Sequence, residues 1–281
     1  MVQKNKLFFL VKYFANDDMG HYLIELLMLE FGLVNLLRFN LAEENKNKLL
    51  KILKPILVDN SFKFLVKDNF IYIFKDEIDL DEKKINQPGY LGRQLGFPNC
   101  CIKNHLAAKN RERQIENINI DSLNDWRLNI FYHESIYHLI PHWPCSFNCQ
   151  ASLNMAIEFW QKLKNNFPEF IDSFQDYLKG DFWHIYAIDD EMHIKTKFSN
   201  DIVFRLDGAK VSDQEFVNIK IKNEEFYNLN DYFKDLLEII AEAESIRLIN
   251  SQEFFIKNHG KNQRIKLPKD FRQLTKFISF R

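Results

Sequence analysis

Four cysteines are the only thiols in the 281-residue chain, and they fall into two pairs. Cys100 and Cys101 are adjacent; after 43 intervening residues comes Cys145-Ser146-Phe147-Asn148-Cys149. Thiolates are soft ligands that suit structural zinc and iron–sulfur clusters. Cysteines clustered in a reducing compartment are more often metal-binding or catalytic than disulfide-bonded. Residues four apart share one helix face, so Cys145 and Cys149 converge if the turn between them is helical. Adjacent cysteines cannot face one way in a regular helix, but the irregular backbone at a helix start can turn both sulfurs inward. Helix N-termini also lower cysteine pKa values and favour an anionic sulfur.

The arrangement predicts one metal site made of Cys100, Cys101, Cys145 and Cys149, with His142 as an accessory group. Zinc usually sits between two Cys-x2-4-Cys knuckles, and only the second pair fits that spacing. The vicinal pair therefore tilts the expectation toward an iron–sulfur cluster, with zinc as the alternative cofactor. Four thiolates would saturate one [4Fe–4S] unit, and an enzyme acting on a small-molecule substrate is one form of that reading. Two alternatives stay open: a zinc-stabilised interaction module contacting a protein or RNA partner, and a metal-free thiol redox protein. The plainer alternative is four small buried hydrophobes.

Other chemistry-bearing residues give weaker signals. His142 lies three residues before Cys145 and can serve as a ligand, an acid–base group or a donor to a sulfur. Arg93, Lys103, Arg111 and Arg113 flank the first pair, where an anionic substrate or plain solvation would suit them. In Phe131-Tyr132-His133-Glu134-Ser135-Ile136-Tyr137-His138 the second histidine comes five residues after the first, so the H-E-x-x-H zinc-protease pattern fails. No G-x-G-x-x-G, phosphate-binding loop or G-x-S-x-G elbow occurs, which removes the usual support for nucleotide and α/β-hydrolase readings.

The stretches Leu95-Gly96-Phe97-Pro98-Asn99-Cys100-Cys101 and Pro144-Cys145-Ser146-Phe147-Asn148-Cys149 resemble the two signature segments of a prokaryotic family of unknown function. That family shows an LG-aromatic-P-x-CC motif followed by PCS-x2-C. The resemblance spans about residues 90 to 155; it implies that the two segments work together and implies no reaction.

Both cysteine pairs sit where a proline-marked loop leads into a helix. Pro88, Gly89, Gly92, Gly96 and Pro98 precede the first, and Pro141-His142-Trp143-Pro144 precedes the second. Hydrophobic spacing predicts helices over Met19–Arg38, Ala42–Leu53 (stopping at Pro55), Cys100 to about Arg113, Ser122–Leu139 and Gln150–Lys164. Alternation predicts a hairpin of Phe62–Val66 and Phe70–Phe74. Beyond residue 180 it predicts strands at Phe182–Ile188, Met192–Phe198, Asp201–Leu206 and Val217–Ile221, with a turn at Asp207-Gly208. A helix over Glu224–Ile240 and a hairpin over Ile246–Ile265 follow, and a helix closes the chain. The expected fold class is α+β: mainly helical N-terminal two-thirds with a small β-hairpin, then an antiparallel β-rich part. The expected domains are 1–180, carrying the cysteines, and 181–281, with one domain left open.

Composition supplies the bounds. Hydrophobic residues are 46% and charged residues 27%, close to globular usage, which argues against disorder. The formal net charge of -1 supplies no global field for nucleic-acid phosphates, which disfavours that partner. A basic C-terminal segment stands out, with Lys257, Lys261, Arg264, Lys266, Lys269, Arg272, Lys276 and Arg281; a solvated face is its ordinary role. No apolar stretch reaches bilayer length and no cleavage site follows the N-terminus, so the expected location is the cytoplasm.

Overall fold

Helix α1 (Gly20–Glu30) buries Leu23, Ile24, Leu26, Leu27, Met28 and Leu29, so apolar residues occupy nearly its whole circumference. It stops because Gly32 takes a left-handed conformation (φ 72°), letting the Gly32 and Leu33 N–H groups turn back onto the Leu29 and Met28 carbonyls. In the computed structural model the described residues are 20–41, 46–75, 81, 83–107, 124–130, 138–189, 199–212, 214–227, 236, 238–250, 253–266 and 271–280.

After Gly32 the chain becomes strand β1 (Leu36–Asn40), then helix α2 (Lys46–Asp59) with Pro55 inside it, and the hairpin β2 (Lys63–Lys67) and β3 (Phe70–Phe74). The sheet order is β1-β3-β2, with both pairings antiparallel. Central β3 buries Ile71, Tyr72 and Ile73. Tyr72 and Leu36 form one apolar cluster with Ile85, Leu91 and Leu95. Helices α3 (Pro88–Gln94) and α4 (Asn99–Ala107) follow. A 3-10 turn at Trp126–Leu128 comes next, then α5 (Gln150–Asn166), a second 3-10 turn at Pro168–Phe170 and α6 (Ile171–Leu178), the last helix described before residue 180.

Seven antiparallel strands then form one sheet: β4 (Gly180–Asp189), β5 (Ser199–Ser212), β6 (Glu215–Tyr227), β7 (Ser245–Asn250), β8 (Glu253–Asn258), β9 (Lys261–Lys266) and β10 (Phe271–Phe280). Its order is β10-β4-β5-β6-β7-β8-β9, a meander whose last strand returns to pair with the first. Contacts divide the chain into two compact units. One contains described residues of 1–119 and 127–178; the other contains described residues of 120–126 and 179–281. Among the described residues no helix is long and apolar enough to cross a membrane.

The α+β mixture stands, but the mainly helical N-terminal two-thirds does not. The stretch Met19–Arg38 splits at Gly32 into a helix and a strand, because Leu36, Leu37 and Phe39 gain buried partners across from β3. The hairpin is therefore part of a three-stranded sheet. Where residues of the expected Ser122–Leu139 helix are described, they form an isolated bridge, a single 3-10 turn and irregular chain.

Later, Asp207-Gly208 makes no turn: β5 runs through it with register shifts that absorb the extra residues. Glu224 to Tyr227 extend β6 against β5 instead of starting a helix, and helical residues are described only from 236 to 241. Cross-strand pairing overrides the helical preference of the Glu-Glu pair. The Ile246–Ile265 hairpin is three strands, and the terminal helix is strand β10. The Met192–Phe198 strand and residues 111 and 113 lie outside the described residues.

Candidate metal centre

Helix α3 ends at Leu95, and Gly96 (φ 77°) takes the left-handed position beyond it. The Phe97 N–H bonds to the Gly92 carbonyl at 2.9 Å and the Gly96 N–H to the Arg93 carbonyl at 3.1 Å, the paired bonds of a Schellman motif. That motif aims the chain at Pro98, whose carbonyl accepts the Ile102 N–H at 3.0 Å and opens α4. Leu95-Gly96-Phe97-Pro98 is thus a helix stop followed by a helix start, and it fixes where Cys100 and Cys101 begin.

The second pair is set differently. Residues 144–149 form turns rather than helix, closed by a Cys149 N–H to Ser146 carbonyl bond of 3.0 Å. Cys149 is the N-cap of α5, with extended backbone (φ −63°, ψ 109°). Helix α5 buries Ser152, Ala156, Phe159 and Leu163, a stripe at helical spacing that seats it in the first unit. Lys162 adds a 2.6 Å bond to the Phe31 carbonyl at the end of α1. Cys145 and Cys149 converge because a turn folds Cys145 back toward the helix start.

All four sulfurs lie within 4.8 Å of one another. Cys100 Sγ is 3.9 Å from Cys101 Sγ and 3.6 Å from Cys149 Sγ, and the Cys101–Cys149 separation is 3.7 Å. The four cysteines are free thiols rather than disulfides. A donor set of four soft sulfurs at this spacing is positioned to hold a metal ion.

Exposure and hydrogen bonding grade the four sulfurs. Cys101 and Cys149 are buried, Cys145 is half-buried and Cys100 is exposed. The Cys145 N–H donates to Cys101 Sγ at 3.3 Å, and Ser152 Oγ is also 3.3 Å from that sulfur. Burial pushes the Cys101 thiol up to about 12. Cys145 is also raised, by burial first and then by charge on Cys101. At Cys149 burial pushes upward too, but the Ser152 hydroxyl and N–H, with the Cys145 and Cys100 thiols, outweigh it and bring the group down to about 7. Without a counter-cation beside them Cys101 and Cys145 therefore ionise reluctantly.

His142 stands one hydrogen bond behind the sulfurs: its Nε2 is 2.9 Å from Ser152 Oγ. A thiolate only accepts, so with Cys101 ionised Ser152 would donate its O–H to that sulfur and accept the Nε2–H of a neutral His142. Burial holds His142 down to about 4, which agrees with a neutral ring. The Phe97 ring packs on it at 4.9 Å between centroids, joining the two cysteine-bearing segments through their side chains.

A cavity of about 500 Å³ adjoins the centre and reaches Cys101 and His142. Glu25, Arg38, Asn86 and His105 supply its other polar groups. Burial pushes the Glu25 carboxyl up to about 8, and His138 Nε2 lies 3.8 Å from it. Arg93 and Lys103, in contrast, are exposed and do not line this cavity. Of the failed zinc-protease segment, His133 and Glu134 lie outside the described residues. Of the basic C-terminal segment, Arg264 and Lys266 pair with Glu253 within the sheet.

Sequence reasoning missed Ser152, Glu25 and Arg38, of which Glu25 and Arg38 carried no signal as site residues. Only Ser152 had a findable one, lying three residues after Cys149 on the same helix face. The chain matches no protein-family model, no curated protein and no solved structure.

Proposed function

We propose that this chain is a zinc protein in which Cys100, Cys101, Cys145 and Cys149 together hold one ion as thiolates, beside a cavity that takes a small molecule. The sulfur separations of 3.6–3.9 Å carry the reading. A tetrahedral ion with metal–sulfur bonds of about 2.3 Å spaces its sulfurs by about 3.8 Å. In a [4Fe–4S] unit each thiolate binds a different iron, which spreads the sulfurs to roughly 6 Å. The spacing thus favours a single ion over the cluster that the vicinal pair alone had favoured.

Four thiolates leave a tetrahedral ion no open position, so its first role is structural. Helix α4 buries only Cys101 and Ile102, too little to anchor it by packing alone. The ion ties the start of α4 to the start of α5. The cavity has the volume of small-molecule sites, with apolar walls and a few convergent polar groups, which supports a ligand there.

The test is metal and acid-labile sulfide analysis with an absorption spectrum, on protein purified without oxygen, alongside the double variant Cys145→Ala/Cys149→Ala. One zinc per chain, no sulfide, a colourless solution and loss of the metal in the variant are expected. Iron with stoichiometric sulfide would replace this reading with a cluster, and folded, reduced protein that takes up no metal would end it.

A further inference from the structure

The four sulfurs are unequally protected. Cys101 accepts the Cys145 N–H and faces the Ser152 hydroxyl, and Cys149 stands at the N-cap of α5. Both are buried, and Cys145 is half-buried. Cys100 is exposed, and among the described residues no N–H or O–H donor reaches its sulfur; its partners are the sulfurs of the other three cysteines. Donated hydrogen bonds draw charge from a thiolate and burial blocks approach to it. A sulfur that lacks both keeps its lone pairs available.

We propose that Cys100 is a nucleophilic metal-bound thiolate that accepts the alkyl carbon of a soft electrophile, while the other three sulfurs act as fixed ligands. The inference rests on the single-ion reading, because the bound cation is what keeps the Cys100 sulfur ionised. In the step a lone pair on Cys100 Sγ forms a carbon–sulfur bond as the bond from carbon to its leaving group breaks, and the leaving group departs with that electron pair. No proton moves and nothing is oxidised or reduced. The product is a neutral thioether, so the site becomes less negative by one charge and the ion keeps three thiolates. The substrate class is an activated alkyl group carried on a good leaving group.

The experiment is alkylation of zinc-loaded protein with limiting iodoacetamide, the adduct mapped by fragment mass spectrometry and metal content measured on the same sample. A single adduct on Cys100, formed at least about tenfold faster than on any other cysteine, is expected from its exposure and missing donors. Ser152→Ala removes the hydroxyl that faces Cys101 and is expected to spread the label onto that sulfur. Label appearing first on Cys101, Cys145 or Cys149, or equally on all four while zinc stays bound, overturns the proposal and leaves the single-ion reading intact. Protein that binds no zinc overturns both.

Discussion

Ser152 links the centre to the residues behind it, since its hydroxyl faces Cys101 while His142 holds it from the other side. Outer groups of this kind orient ligands, and losing one commonly weakens metal binding by about 10- to 100-fold. Ser152→Ala is expected to lower zinc affinity in that range in a chelator competition titration, with secondary structure unchanged by circular dichroism. Ser152→Thr, which keeps the hydroxyl, should lose less.

Glu25 gives a pH signature. Its carboxyl ordinarily titrates at 4.5, and burial raises it to about 8 in the fold. The folded state therefore holds this proton more tightly than the unfolded chain does, and the associated stability is complete below 4.5 and drains away as pH rises to about 8. Glu25→Gln cannot ionise, so its melting temperature should match the parent's in acid and exceed it increasingly up to about pH 8. Equal melting curves at every pH would show that the carboxyl titrates normally.

Between residue and fold lie the two chain segments that lead into the centre, and they differ in how legible they were. In the first, the helix entry at the vicinal cysteines was legible from Pro98, but α3 was not: Pro88, Gly89 and Gly92 read as loop, whereas Pro88 occupies the first helical position and Gly96 stops the helix. The second could be read only in part. Proline marked the break, but the fold of residues 144–149 into a turn depends on contacts with Cys101 that no local pattern announces. The same limit explains β1, where a run of leucines joined to a helix reads as more helix until its partner strand is known. The 3-10 turn at Trp126–Leu128 had no distinguishing signal. The four-cysteine site was legible because chemistry, more than periodicity, pointed to it.

A Cβ at Gly96 would meet Val34 Cα at 3.6 Å and the Leu33 carbonyl at 3.7 Å, ordinary contacts, so substitution there is a question of backbone conformation rather than space. Gly96→Ala must hold a left-handed alanine, at a cost of about 1–2 kcal/mol. It should lower the melting temperature and weaken zinc binding together, because the same turn sets the start of α4. Gly92 tests the adjacent packing: a Cβ there would lie 3.0 Å from Ile102 Cγ1. Gly92→Val overpacks that helix contact by about 1–3 kcal/mol, visible in chemical denaturation.

At the scale of the whole chain, all four ligands belong to the first unit and the seven-stranded sheet to the second. Chelation is therefore expected to lower the thermal transition of the first unit and leave that of the second in place, resolved by calorimetry as one shifted and one unshifted peak. A single transition that moves as a whole would mean that the two units unfold as one cooperative body. The second unit also draws residues 120–126 from between segments of the first, so a fragment starting at residue 179 lacks part of it. Such a fragment should be less stable than the same unit in the full chain.

That excursion lies on the stretch between Cys101 and Cys145, and the consequence is one of polymer statistics. An ion bound at both ends turns 43 intervening residues into a closed ring, even in a chain that has otherwise lost its shape. Closing a ring of this length removes conformational freedom from the disordered ensemble worth about 4 kcal/mol, if the metal stays bound there as a covalent bridge would. A bound ion would then act as a reversible cross-link under conditions where disulfides would be reduced, and the supply of metal would set how often the ring is closed.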